Sequence, residues 1–307
     1  MLRCVILALV FVLASVRLAS TAEFELREIA PGVFAHQGRT ALMSEQNLGD
    51  IANLGAVVGE RAVAVIDTGG SPAEAKMFLA ALQQKTAKPI RYVINTHAHP
   101  DHVFGNGVFA GPGVEFVGHK NLPRALAARG PHYRESFRDA MGKEIEDVRI
   151  IEPNILVEDR LTLDLGGRKL LLQAWRTAHS DCDLTAFDEQ SGVLFAGDLL
   201  FLKHVPIVDG SLLGFLQVAD ALAKIPASRV VPGHGPLAAQ WPQALESERA
   251  YLERLTGDLR AAIKKGDNVS DAAQAAGQTE RGAWSLFEDY NARNATAGFA
   301  ELEWETP

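Results

Sequence analysis

From Phe24 to Gln37 apolar residues alternate with polar ones, and the alternation returns in Gly55–Gly59 and Ala62–Asp67, which read as a hairpin across Glu60 and Arg61. The pattern changes at Ser71-Pro72-Ala73-Glu74. A serine cap, a proline in the first turn and a glutamate three residues after the cap predict a helix running to about Gln84. The apolar run Ile90–Asn95 predicts the next strand, and the stretch from Asn121 to Ile150 reads as polar helices. Strand patterns resume at Leu161–Leu165, Lys169–Trp175, Leu184–Phe187 and Val193–Ala196. A helix, a strand at Arg229–Pro232 and a long helix from about Trp241 to Lys265 follow. Strands and then helices thus occur twice, which predicts an α/β (α+β) fold of two sheets packed face to face with helices outside, a four-layer αββα sandwich. No repeat, low-complexity tract or linker divides residues 23–307, which are expected to form one domain with a helical C-terminal extension from about residue 266.

The start of the chain breaks this pattern. Arg3 precedes the apolar core Cys4–Ala14, and Ser20-Thr21-Ala22 offers small residues for cleavage, so residues 1–22 are expected to be a signal peptide. The core is too short to span a bilayer comfortably, and no stable membrane insertion is expected after cleavage. The mature protein would be secreted, or periplasmic in a Gram-negative host. Its remaining cysteine, Cys182, cannot form an internal disulfide, and a small buried role suits it. The 307 residues carry a formal net charge of −8 and 47% hydrophobic residues, which fits a globular protein with no nucleic-acid partner.

The chemistry concentrates in Thr96-His97-Ala98-His99-Pro100-Asp101-His102, directly after the Ile90–Asn95 strand. Three imidazoles and a carboxylate at one strand-to-loop corner are donors suited to zinc. Backbone alternation lets His97 and His99 share one face while Asp101 and His102 turn to a neighbouring one, so two adjacent metal positions are expected. His179, Asp198 and His234 are three further candidate ligands, each expected at the end of an apolar strand, where loops gather into a site.

This H-x-H-x-D-H pattern, followed by a lone histidine, an aspartate and a final histidine, resembles the metallo-β-lactamase superfamily. The resemblance implies the αββα sandwich of that type, with His97, His99 and His179 holding one zinc, Asp101, His102 and His234 the second, and Asp198 bridging. It also implies that Asp67 braces the metal loop. His97–Asn106, Ala178–Leu184, the tail Leu286–Asn294 and the signal peptide are more closely similar to SoxH-like zinc metallohydrolases of quinoprotein systems. That likeness implies a periplasmic quinoprotein or cytochrome partner.

Two zinc ions are the expected cofactors; iron and manganese also accept these donors. Such a centre generates a metal-bridging hydroxide for hydrolysis of an ester, thioester, lactone or related acyl bond in a small molecule. Asp101 is expected to be catalytic as well as a ligand, orienting the hydroxide and passing a proton to the leaving group. His204, six residues after Asp198, is a candidate substrate contact. Two other readings are a periplasmic β-lactamase and a metal-binding accessory protein with little turnover. Aspartate at 198 and Phe201, where the best-known β-lactamase class carries a cysteine and a lysine, tilt against the first; Lys203 lies two positions further on, and the local backbone decides whether it reaches the same spot. His36, His119 and His132 show no partners in sequence, and surface or packing roles are expected for them. The segments Gly38–Asn53, Asn121–Ile150 and the tail after Gly266 are the expected pocket builders.

Overall fold

The computed structural model describes residues 24–237 and 239–305; the expected signal peptide lies outside them. A first sheet has seven strands in sequence order: β1 (Arg27–Ala30), β2 (Val33–His36), β3 (Leu54–Val58), β4 (Val63–Ile66), β5 (Ile90–Ile94), β6 (Glu115–His119) and β7 (Ile155–Val157). Pairing is antiparallel through β4 and parallel from β4 to β7. A second sheet contains β8 (Arg160–Asp164), β9 (Lys169–Ala174), β10 (Leu184–Asp188), β11 (Val193–Phe201), β12 (Arg229–His234) and β13 (Ala239–Gln240), with β11 and β12 parallel.

Alternation assigns each strand residue to a layer. On β4, Ala64 and Ile66 enter the core between the sheets, whereas Val63 and Val65 pack outward with Phe78 and Leu82 of α1 (Pro72–Lys85). On β11, Val193 and Phe195 point between the sheets while Leu194 and Ala196 face outward. The short helices α2 (Pro100–Val103) and α3 (Asn106–Phe109) follow β5, and α4 (Leu122–Ser136) and α5 (Arg138–Met141) follow β6. The outer face of the second sheet is covered by α6 (Leu212–Leu222), α7 (Leu245–Lys265), α8 (Val269–Ala275) and α9 (Phe287–Leu302). The four-layer αββα sandwich is therefore present. Among the described residues no helix is long and apolar enough to cross a membrane.

Several details differ from the sequence reading. Strands β6, β7 and β13 are additional, β7 and β13 being only three and two residues long, and α7 starts at Leu245 instead of near Trp241. β11 does not end at Ala196: Gly197, at φ 54°, forms an irregularity in the β11–β12 register, and the strand runs on to Phe201. Asp198 thus sits inside a strand, at a bulge, and not at its end. Finally, Ser71 caps α1 by accepting from the Glu74 N–H at 3.1 Å, but the Glu74 carboxylate accepts from Gly70 N–H at 2.7 Å instead of closing a box on Ser71.

Candidate metal centre

The parallel strands β4, β5, β11 and β12 bring their C-terminal ends to one edge of the sandwich, and every candidate ligand lies there or on an adjoining loop. Buried Val93 and Ile94 fix the end of β5, after which Pro100 starts α2 and places Asp101 and His102 in its first turn. His97 and His99 precede the turn. The expected division follows: His97, His99, His179 and Asp198 form one group of converging donors, and Asp101, His102 and His234 form a second.

Asp198 joins the two groups. Its Oδ2 is 3.6 Å from His97 Nε2 and 3.4 Å from His179 Nε2. Its Oδ1 is 3.1 Å from His102 Nε2 and 3.5 Å from His234 Nε2. Asp101 Oδ2 completes the second group, 3.5 Å from His102 Nε2 and 3.3 Å from His234 Nε2. Bonds of about 2.0–2.1 Å to a tetrahedral ion put neighbouring donors about 3.3 Å apart, so these separations fit ligands around a metal. Gly233 makes this arrangement possible, because a Cβ there would collide with Asp198 Oδ1. His97 Nε2, His102 Nε2 and Asp198 Oδ1 are buried without any hydrogen-bond partner. Such atoms are costly unless a cation completes them, so the donor set fits divalent metal.

The opposite nitrogen of each imidazole is held by the protein. His102 Nδ1 lies 2.8 Å from Asp67 Oδ2, His179 Nδ1 2.8 Å from the Ile207 carbonyl, and His234 Nδ1 2.9 Å from the Ile51 carbonyl. Thr96 Oγ1, 3.0 Å from His97 Nδ1, donates to Asp67 Oδ2 at 2.7 Å. Each of these four rings is thereby oriented with Nδ1 towards a protein oxygen and Nε2 towards the converging donors. His99 is reversed: Nε2 faces Asp209 Oδ2 at 2.9 Å and Nδ1 turns inward, 2.9 Å from His179 Nε2. Asp67 also accepts from Thr96 N–H at 2.8 Å. It holds this position at φ 56°, a conformation disfavoured for a residue with a side chain and sustained here by its three bonds. Asp67 therefore braces the metal loop, as the resemblance implied.

Electrostatics separates the groups. Burial pulls His97 well below the ordinary histidine range and His179 down to about 4, so these rings are neutral donors. Burial acts on His102 and His234 too, but the surrounding carboxylates, Asp198 first, outweigh it and raise both, His234 to about 9. Without metal the second group holds protons, which a metal must displace. Burial likewise opposes ionisation of Asp101, yet His102 and His234 hold it down to about 2.

Above this floor lies a cavity of about 290 Å³. One wall comes from Leu42, Met43 and Ile51, another from Tyr133, Phe137 and Ala140, and a third from Ile207, Tyr290 and Arg293. All three expected segments contribute. His204 lines the cavity, with Nδ1 2.6 Å from the Val205 carbonyl, and its ring is 5.0 Å from that of His234. Phe201 is buried and stacks on His234 at 5.2 Å, while Lys203, at φ 66°, is exposed and does not line the cavity.

Sequence reasoning missed Asp209, which orients His99 and pairs with Arg293, and gave Tyr290 no role although it lies in the quoted tail motif. His36 is buried with a partner after all, its Nε2 2.8 Å from Asp50 Oδ1. His119 and Cys182 are buried as expected, and Trp175, Trp241 and Trp284 belong to the core.

The family model for the metallo-beta-lactamase superfamily matches residues 48–234. No curated protein matches the sequence. Among solved structures, a metallo-beta-lactamase family protein from Thermus thermophilus superposes with a TM-score of 0.64 at 23% identity, covering 90% of this chain and 94% of that one. The sec-alkylsulfatase Pisa1 from Pseudomonas sp. gives 0.72 at 17% identity over 91% of this chain, which spans only 50% of that enzyme. A metallo-beta-lactamase from Pontibacter korlensis gives 0.61 at 20% identity, over 75% of this chain and 98% of its own. At these identities the likeness is one of fold.

Proposed function

The chain belongs to the metallo-beta-lactamase superfamily and is a metal-dependent hydrolase, and we propose that it is an exported enzyme using two zinc ions to cleave an ester, thioester, lactone or related acyl bond. The observation that carries the dinuclear reading is Asp198, whose two oxygens each face a separate group of donors. His97, His99 and His179 would hold one ion and Asp101, His102 and His234 the other. When bound, the ions supply Lewis acidity to the scissile carbonyl and lower the pKa of water towards neutrality.

The residues around them divide the remaining work. Asp101 is ionised, lines the cavity, and can accept the proton of an attacking water and return it to the leaving group. Burial and the nearby Asp101 carboxylate push the Tyr290 phenol up to about 12, so it stays a hydrogen-bond donor. Burial pulls His204 down to about 4, and with Nδ1–H given to Val205 its Nε2 is a neutral acceptor for substrate. Export is supported by the signal-like sequence of residues 1–22, and a quinoprotein connection by the tail motif that delivers Tyr290 and Arg293 to the cavity. The β-lactamase reading loses ground because Lys203 does not reach the cavity.

Metal analysis and an acyl-substrate panel test this reading. About two zinc equivalents are expected. Asp101→Asn should lower kcat by about 10²–10⁴-fold while most of the metal stays bound. Unchanged turnover in that variant refutes its catalytic role. A fully loaded protein that cleaves no acyl substrate but binds a periplasmic dehydrogenase or cytochrome would support the accessory reading instead.

A further inference from the structure

Outside the metal centre, the described residues bring together one more group of converging donors. His36 ends β2, Asp50 lies in the loop before β3, and Glu74 sits in the first turn of α1, with ligand atoms all within 4.8 Å of one another. None of the three is among the seven ligands described above. We propose that this buried triad is a third metal site, holding one six-coordinate divalent ion of the manganese class that ties the cavity loop to the first sheet and to α1.

Two observations point to a cation. The Glu25 carbonyl can only accept, so His36 Nδ1, 2.9 Å away, carries a proton. In the neutral ring Nε2 is then a lone pair 2.8 Å from Asp50 Oδ1, and two acceptors that close need positive charge between them. Independently, Glu74 is 0% exposed and its Oε1 has no hydrogen-bond partner, while Oε2 accepts from Gly70 N–H. A proton shared by His36 and Asp50 alone would leave Oε1 unmet; one divalent ion satisfies all three groups. Burial and the Asp50 carboxylate raise the Glu74 carboxyl well above the ordinary range, so an incoming ion displaces a proton there.

The 2.8 Å spacing is tighter than the about 3.3 Å between donors around tetrahedral zinc, and it suits adjacent corners of an octahedron, about 2.9 Å apart. Two carboxylates, with water in the remaining positions, suit manganese, and the imidazole favours it over magnesium or calcium. The place in the fold gives the ion a structural task. Asp50 precedes Ile51, whose carbonyl faces His234 Nδ1 at 2.9 Å and whose side chain lines the cavity. Phe24 stacks on His36 with ring centroids 3.8 Å apart, and exposed Arg39, 3.5 Å from Asp50 Oδ2, marks the solvent side.

Titration of the zinc-loaded protein with manganese(II) tests this, with bound ion read from loss of the free-ion electron paramagnetic resonance signal and zinc counted in the same samples. About one equivalent should bind without release of zinc. At a hundredfold excess over its dissociation constant it should raise the thermal midpoint by about 5 °C. Glu74→Gln, which keeps an acceptor for Gly70, and His36→Gln should each weaken binding at least about tenfold and abolish the shift in midpoint, with zinc content unchanged. Asp50→Asn takes the place of either variant that fails to fold. No uptake of manganese, uptake matched by zinc release, or equal uptake by the variants overturns the proposal and leaves the triad to a shared proton. Because zinc is counted separately, none of these outcomes bears on the dinuclear hydrolase reading.

Discussion

The floor and the walls of the site are built on opposite principles. The floor consists of histidines and aspartates at strand ends, at the β11 bulge and in the first turn of α2, nearly all buried, with each imidazole fixed through its second nitrogen. It also gains support from both sheets, since Asn53 after the first-sheet loop donates to the Pro232 and Gly235 carbonyls that flank His234. The walls are largely apolar, partly exposed, and come from segments far apart in sequence. Metal chemistry tolerates little displacement of its ligands, whereas apolar contact tolerates much more. The reaction is thus encoded in the sandwich and its selectivity in the additions to it.

If that division holds, the largest effect should come from Asp198→Ala, which removes the one side chain shared by both donor groups. Metal content should fall below one equivalent, and activity should drop on the order of 10³-fold or more. Circular dichroism would separate this from unfolding. Two tightly bound zinc ions in the variant would sink the bridging assignment.

A smaller loss is expected one layer further out. Asp67→Asn replaces an oxygen that accepts from His102 and Thr96 with an amide that can accept through only one oxygen. Zinc affinity, measured by competition with a chromophoric chelator, should weaken about 10–100-fold. Thr96→Val sharpens the point, because it cuts the link to His97 and leaves the His102 contact in place. It should weaken the first ion alone; equal weakening of both would show that Asp67 acts through the backbone and not through these side chains.

The same division explains what could be read from the sequence. Each ligand follows a strand whose alternation gives its direction, so His97, His99, His179 and His234 could be placed before any coordinates. Asp198 could be identified but not located, because the bulge at Gly197 keeps β11 running to Phe201 where alternation alone ends it at Ala196. Asp209 was out of reach. It sits 110 residues from His99, and a lone aspartate ahead of a helix says nothing of which ring it will meet. Residues of α9 posed a similar difficulty: the tail could be named as a pocket builder, but only packing of α9 against α7 and the second sheet shows which turn faces the metal floor. His36 and Asp50 meet across a loop with no periodicity to report their contact.

Tyr290 lies where walls and floor meet, and so tests the boundary between them most finely. Its ring is 5.3 Å from that of His204, and Asp101 is close enough to help hold its hydroxyl protonated. If it belongs to the walls, Tyr290→Phe removes one neutral hydrogen bond to substrate and keeps the apolar ring. The cost should then be about 3–10-fold in kcat/KM, with zinc content, zinc affinity and folding stability unchanged. A larger loss accompanied by release of metal would move Tyr290 into the floor. Selectivity and chemistry would then share a residue at α9, and the boundary between sandwich and additions would have to be redrawn inside the C-terminal helix.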